Sequence, residues 1–153
     1  GHSPSAGATG RIILPEDALA TIIPVVRAPN QQGRFFGHSA LLVEDNERLR
    51  RVLELSLAEI GFEVSSAANG DAARQLLEQG NRPDLLFSDI RMPGQLNGVQ
   101  LAGWTVAHRP GTRVLLQTGY AEENAGEFAV LRKPFTAEEL IAAIAAVFAG
   151  PPR

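Results

Sequence analysis

Residues 83–94 read PDLLFSDIRMPG, with Leu85, Leu86 and Phe87 running unbroken into Ser88 and Asp89. So short an apolar run, set between Pro83 and the Pro93-Gly94 turn, predicts a strand buried on both faces. Asp89 then stands where that strand ends. In open parallel sheets, ligands bind in the crevice beyond the carboxyl ends of the strands, so a carboxylate there is placed for chemistry. The bland reading is an Asp that merely starts a turn. The remainder of the chain decides between the two.

Upstream of this strand, Ala40–Val43 is a short apolar run ending in Glu44-Asp45. A helical period follows, with Leu49, Val52, Leu53, Leu57 and Ile60 on one face and Arg48, Arg51, Glu54 and Glu59 largely off it. Asp45 or Asn46 can cap that helix and Gly61 can end it. Phe62–Ala67 reads as a second strand. Asn69-Gly70-Asp71 opens a helix with Ala72, Ala73, Leu76 and Leu77 inward, closed by Gly80. Downstream, residues 98–108 are helical through Val99, Leu101, Ala102, Thr105 and Val106. Residues 113–117 (RVLLQ) form a fourth strand and Phe128–Leu131 a fifth. A last helix starts at a Thr136-x-x-Glu139 capping box, buries Leu140, Ile141, Ile144, Val147 and Phe148, and stops at Gly150-Pro151-Pro152. Strands alternating with helices predict a doubly wound α/β domain.

The chain has 153 residues, ordinary for one domain. Composition divides it near Gly37. Before that point Gly, Pro, Ser and Gln recur without a sustained period, so residues 1–37 are expected to be an arm or linker, residues 38–150 the domain and residues 151–153 a tail. Gly1-His2-Ser3 has the look of an expression scar. Within the arm, Ile12–Leu14 and Ile22–Val26 are apolar enough to dock, and Pro15-Glu16-Asp17 can open a short helix. The arm reads equally well as a disordered tail or as a segment packed on the domain or on a second copy. The absence of cysteine excludes disulfides, thiolate metal sites and thiol nucleophiles, and fits a cytoplasmic protein. A net charge of -3 argues against a nucleic-acid surface, which needs clustered Lys and Arg. No apolar run approaches the roughly 20 residues that span a bilayer.

Several polar residues stand at the predicted strand ends: Glu44 and Asp45, Asp89, Thr118, and Lys133. If the first strand lies beside the third, three carboxylates converge and repel one another unless a cation neutralises them. Hard oxygen ligands in an open pocket favour Mg²⁺, which retains waters and takes one or two carboxylates plus phosphate oxygens. Lys133 is the only lysine in a chain that otherwise uses Arg, and it sits at a strand end before a proline. An ammonium is a compact point charge able to reach a carboxylate or a phosphate oxygen. The Thr118 hydroxyl can bond a phosphate oxygen or simply begin the Thr-Gly turn.

In this order and at these strand ends, LLVEDNE, LLFSDIRMPG, LLQTGYA and LRKPF resemble the receiver domain of two-component response regulators, over about residues 39–149. The resemblance implies a flavodoxin-like, five-stranded parallel sheet of order 2-1-3-4-5 with five surrounding helices. It also implies that Asp89 accepts a phosphoryl group from a histidine kinase's phosphohistidine. Asp45 and Asp89 would bind Mg²⁺ directly, the Arg91 carbonyl would complete the protein ligands, and Glu44 would act through water. Thr118 and Lys133 would contact the phosphoryl oxygens. The implied partners are a histidine kinase or phosphotransfer protein and a downstream protein; homodimerisation is left open, and neither direct nucleic-acid binding nor a membrane is implied.

Three departures from the family pattern stand out. The family often carries an aromatic residue three positions before the lysine, where this chain has Val130, so the usual rotamer switch cannot operate in that form. Residues 119–127 leave less than the eleven or so residues of an average helix, and Ala125-Gly126 interrupts even that, so the fourth helix is expected to be reduced to a turn or missing. The loop Gly94-Gln95-Leu96-Asn97-Gly98 looks one residue longer than the common form. The short stretch and the TGYA wording resemble receivers of hybrid histidine kinases and some stand-alone receivers, and with no further module after the last helix, direct transcriptional output is not expected.

Arg91 and Tyr120 flank the expected path of an attacking water and are expected to slow acyl-phosphate hydrolysis. His108 reads as exposed rather than as a phosphocarrier. Trp104 is undecided between surface and partner contact, and Glu122, Glu123 and Glu127 form a solvated acidic edge. Two functions from different classes remain: a phosphoacceptor switch that turns over no free substrate, and a receiver-like interaction module that does not signal through phosphate. A hydrolase with Asp89 as nucleophile is a distant third, because its second Asp would fall where Arg91 stands.

Overall fold

The structure, a computed structural model, describes residues 29–120 and 124–150. The expectations for Gly1–Ser3, for the apolar stretches and Pro15 helix of the arm, for Glu122 and Glu123, and for the tail after Gly150 lie outside the described residues. In chain order the elements are β1 (Ser39–Val43), α1 (Glu47–Glu59), β2 (Glu63–Ala67), α2 (Gly70–Glu78), β3 (Leu85–Asp89), α3 (Gly98–His108), β4 (Arg113–Thr118), β5 (Ala129–Arg132) and α4 (Ala137–Ala149). All strand pairs are parallel and the sheet order is β2-β1-β3-β4-β5. This is the flavodoxin-like, doubly wound α/β fold that the resemblance implies. Among the described residues no helix stands between β4 and β5, so four helices flank the sheet.

Two apolar layers sandwich the sheet, as a parallel sheet requires. Leu42, Phe87 and Leu115 face Leu53 and Leu57 of α1 and Leu140 and Ile144 of α4. Their neighbours Leu41, Val43, Leu86, Val114 and Leu116 face Leu77 of α2 and Leu101 and Ala102 of α3. Short polar side chains begin each helix by accepting from amides that lack an intrahelical partner. Asn46, Asn69, Asn97 and Thr136 do so, the last two in full capping boxes with Gln100 and Glu139.

Helix α1 is rotated relative to its sequence expectation. Val52, expected inward, is 54% exposed, whereas Glu54, expected outward, is only 5% exposed. Each lies one residue, about 100° of helix, from the central Leu53. The Glu54 side wins because β2 offers a partner there: Ser66 Oγ donates to Glu54 Oε2 at 2.6 Å.

Residues 30–36, on the arm side of Gly37, close the bottom of the domain. The Asn30 amide donates to Ala58 O at 2.9 Å and the Phe35 amide to Ile60 O at 2.8 Å. Asn30 Nδ2 adds a bond to Glu59 O at 2.9 Å. Ala58 O also accepts from the Gly61 amide at 3.0 Å, so the segment adds donors around the last turn of α1. Phe35 is 5% exposed. Its ring stacks on Phe62 with centroids 5.0 Å apart and meets Phe148 of α4 edge-on at 5.5 Å.

Candidate functional site

The site lies at the carboxyl ends of β1, β3, β4 and β5, and strand alternation builds it. Side chains two residues apart share a face, so Glu44, Asp89, Gln117 and Lys133 prolong the columns of Leu42, Phe87, Leu115 and Leu131. The Val43↔Ser88 pairing places Glu44 beside Asp89, and Asp89 in turn is paired with Gln117. Gly98 lets the start of α3 approach β3: a Cβ there would come within 2.2 Å of Asp89 O.

Glu44, Asp45 and Asp89 offer carboxylate oxygens that all lie within 4.8 Å of one another. Lys133 Nζ donates to Asp89 Oδ2 at 2.8 Å and stands 3.7 Å from Glu44 Oε1. Thus the structure brings together four residues that the sequence scatters over ninety positions. Glu44 is 1% exposed. Its Oε2 accepts from the Asn46 amide at 3.1 Å, its Oε1 from Gln117 Nε2 at 3.4 Å, and its carbonyl from Arg50 Nη1 at 2.8 Å.

Thr118 ends β4 in a buried position. Its hydroxyl oxygen accepts from the Tyr120 amide at 3.0 Å, and its carbonyl accepts from the Lys133 amide at 2.8 Å, which ties the two strand ends together. The Arg91 amide lies 3.4 Å from Asp89 Oδ1. Its guanidinium sits 3.9 Å above the centre of the Tyr120 ring. Val130 is partly exposed on β5. Away from the site, Trp104 is half-buried in a surface stack between His108, with ring centroids 4.2 Å apart, and the Arg74 guanidinium at 5.0 Å.

Burial pushes the Glu44 carboxyl from 4.5 up to about 7. The charges of Asp89 and Asp45 push the same way, against the Asn46 amide and the Lys133 ammonium. Burial also acts to lower Lys133, but the hydrogen bond and charge of Asp89, with Glu44 and Asp45 behind it, outweigh that and hold the ammonium above its ordinary value. Three carboxylates against one ammonium leave an excess of negative charge, presented on hard oxygens. That donor set suits Mg²⁺.

Gln117 and Arg50 are the partners of Glu44 that reading the sequence missed. The signal for Gln117 was present, since alternation from Leu115 turns it toward the same face as Asp89. It ended an apolar strand run and was read as part of that run.

The family model described as "Response regulator receiver domain" matches residues 40–145. The regulatory protein AtoC of Escherichia coli K12 is 37% identical over 107 residues, which cover 65% of this chain and 23% of that protein. The DNA-binding transcriptional regulator NtrC of E. coli K12 is 33% identical over 110 residues, 67% of this chain and 23% of that protein. The chain therefore spans about a quarter of the length of these relatives. Among solved structures, the response regulator TrrA of Thermotoga maritima in complex with Mg²⁺ and BeF is similar with a TM-score of 0.64 and 28% identity, over 72% of this chain and 98% of that one. A response regulator receiver protein from Sinorhizobium medicae is similar with a TM-score of 0.68 and 25% identity, over 79% and 98% of the two chains.

Proposed function

Because this chain belongs to the response regulator receiver domain family, we propose that it is the phosphoacceptor of a two-component phosphorelay, with Asp89 as the acceptor. The family is one of signalling domains rather than turnover enzymes. The observation that carries the reading is the 2.8 Å contact of Lys133 Nζ with Asp89 Oδ2, beside three acids whose oxygens cluster within 4.8 Å.

Asp45 and Asp89 would hold Mg²⁺ with the Arg91 carbonyl, and Glu44 would reach it through water. When bound, the ion supplies positive charge to the phosphoryl oxygens. A carboxylate oxygen of Asp89 attacks the phosphorus of a phosphohistidine on a histidine kinase or phosphotransfer protein. A P–O bond forms as the P–N bond breaks, and the electron pair leaves with the imidazole. Lys133 carries a fixed ammonium to a transferring oxygen, and Thr118 offers its hydroxyl to another. Positioning and electrostatics supply the catalysis. The Arg91–Tyr120 stack supports a further role for those two side chains in shielding the acyl phosphate from water. No helix among the described residues is long and apolar enough to cross a membrane, and a cytoplasmic location goes with the proposal.

A second reading, an interaction module that does not signal through phosphate, draws on the exposed Val130 and on the lack of a helix between Thr118 and Ala129 among the described residues. Incubation with Mg²⁺ and a small acyl phosphate, followed by intact mass, separates the two. Addition of one base-labile phosphoryl group, lost in Asp89→Ala, is the expected result. An unmodified wild-type chain would favour the interaction module.

A further inference from the structure

Gln117 is 0% exposed and follows the apolar run Val114-Leu115-Leu116. A leucine there would extend the column that faces α1 and α4 and would bury without polar cost. The amide is instead kept in an expensive place: its Oε1 is buried with no hydrogen-bond partner, a state that costs stability. The other end of the amide has a defined task. Nε2 points at Glu44 Oε1 from 3.4 Å, and turning the amide over would set two acceptors against each other. With Asn46 on Oε2 at 3.1 Å and Lys133 at 3.7 Å from Oε1, donors from the β1–α1 turn, β4 and the end of β5 converge on one carboxylate. Gln117 is the one of the three contributed by the strand next to Asp89.

We propose that Gln117 is a positioning residue of the metal centre, a hydrogen-bonded tether that holds the Glu44 carboxylate within the three-acid cluster. Outer partners that orient an acidic group raise metal affinity without touching the ion. The proposal rests on reading the cluster as a Mg²⁺ site.

Mg²⁺ titrations of wild type, Gln117→Leu, Glu44→Gln and the double variant, followed by backbone amide chemical shifts with no phosphodonor present, test it. Gln117→Leu is expected to weaken Mg²⁺ binding roughly ten-fold, and to add nothing further when Glu44 is already Gln, because the tether then has no carboxylate to hold. An affinity within about two-fold of wild type overturns the proposal, as does an equal loss in the Glu44→Gln background. Should the leucine variant fail to fold, Gln117→Met keeps the length and apolar volume and carries the same expectations. A wild-type chain that does not bind Mg²⁺ overturns the reading of the cluster and the proposal with it, an outcome distinct from a binding wild type with an unaffected Gln117 variant.

Discussion

Without Mg²⁺, the acidic cluster should make the protein less stable as the pH rises toward neutrality. Glu44 carries the effect, because its pKa is raised from 4.5 to about 7 in the fold. A carboxyl raised on folding ionises first in the unfolded chain, so its contribution to stability is complete below pH 4.5 and is lost as the pH passes through 7. At about 1.4 kcal/mol per pKa unit the loss amounts to roughly 3 kcal/mol. That is an upper limit, because the Asp89–Lys133 pair shares the same field. Lys133 is raised above 10.5 and keeps its contribution throughout this window, losing it only at higher pH. Urea unfolding in EDTA at pH 5 and at pH 7.5, for wild type and Glu44→Gln, isolates the term. Wild type is expected to lose up to about 2 kcal/mol between the two pH values relative to the variant, because part of the loss has already occurred by pH 5. Mg²⁺ should restore the wild type at pH 7.5 more than it does the variant. Parallel pH profiles for the two proteins would refute the assignment of burial and repulsion to Glu44.

Two further predictions follow from contacts elsewhere. The Arg91 guanidinium over the Tyr120 ring is an exposed cation–π pair worth about 0.5–1 kcal/mol. If it must open to admit water, Arg91→Ala with Tyr120→Ala should shorten the phosphate lifetime roughly two- to five-fold, read by intact mass over time; an unchanged lifetime sinks the shielding role. At the other end of the sheet, Phe35→Ala should cost about 3–5 kcal/mol in urea unfolding, since it empties the stack on Phe62 and Phe148. A loss under about 1 kcal/mol would mean that the segment only rests on the surface.

Periodicity and punctuation sufficed for most of the fold. The bounds of α3 are those read from residues 98–108, and each strand falls within a residue of its expected limits, because apolar runs of this length between turn signals have few alternatives. The rotation of α1 was not legible, since Val52 and Glu54 flank Leu53 symmetrically and only Ser66, across the gap to β2, breaks the tie. Phe35 was lost in a stretch whose Gly and Gln content spoke for an arm, although its ring completes an aromatic cluster with Phe62 and Phe148.

By itself the sequence determined which residues carry charge and where each strand ends: an acidic pair after one apolar run, Asp89 after another, and a single lysine before a proline. Those are local matters of residue type and spacing. The placing of β1 beside β3, and with it the meeting of Glu44 and Asp45 with Asp89, came from the family resemblance of several stretches taken together and from no single one. The tertiary structure decided the contacts, with Lys133 reaching Asp89 at 2.8 Å. It also decided that Gln117 faces Glu44 rather than the apolar core. Proximity across strands depends on pairing order and burial, and these are properties of the packed sheet that no one stretch of chain contains.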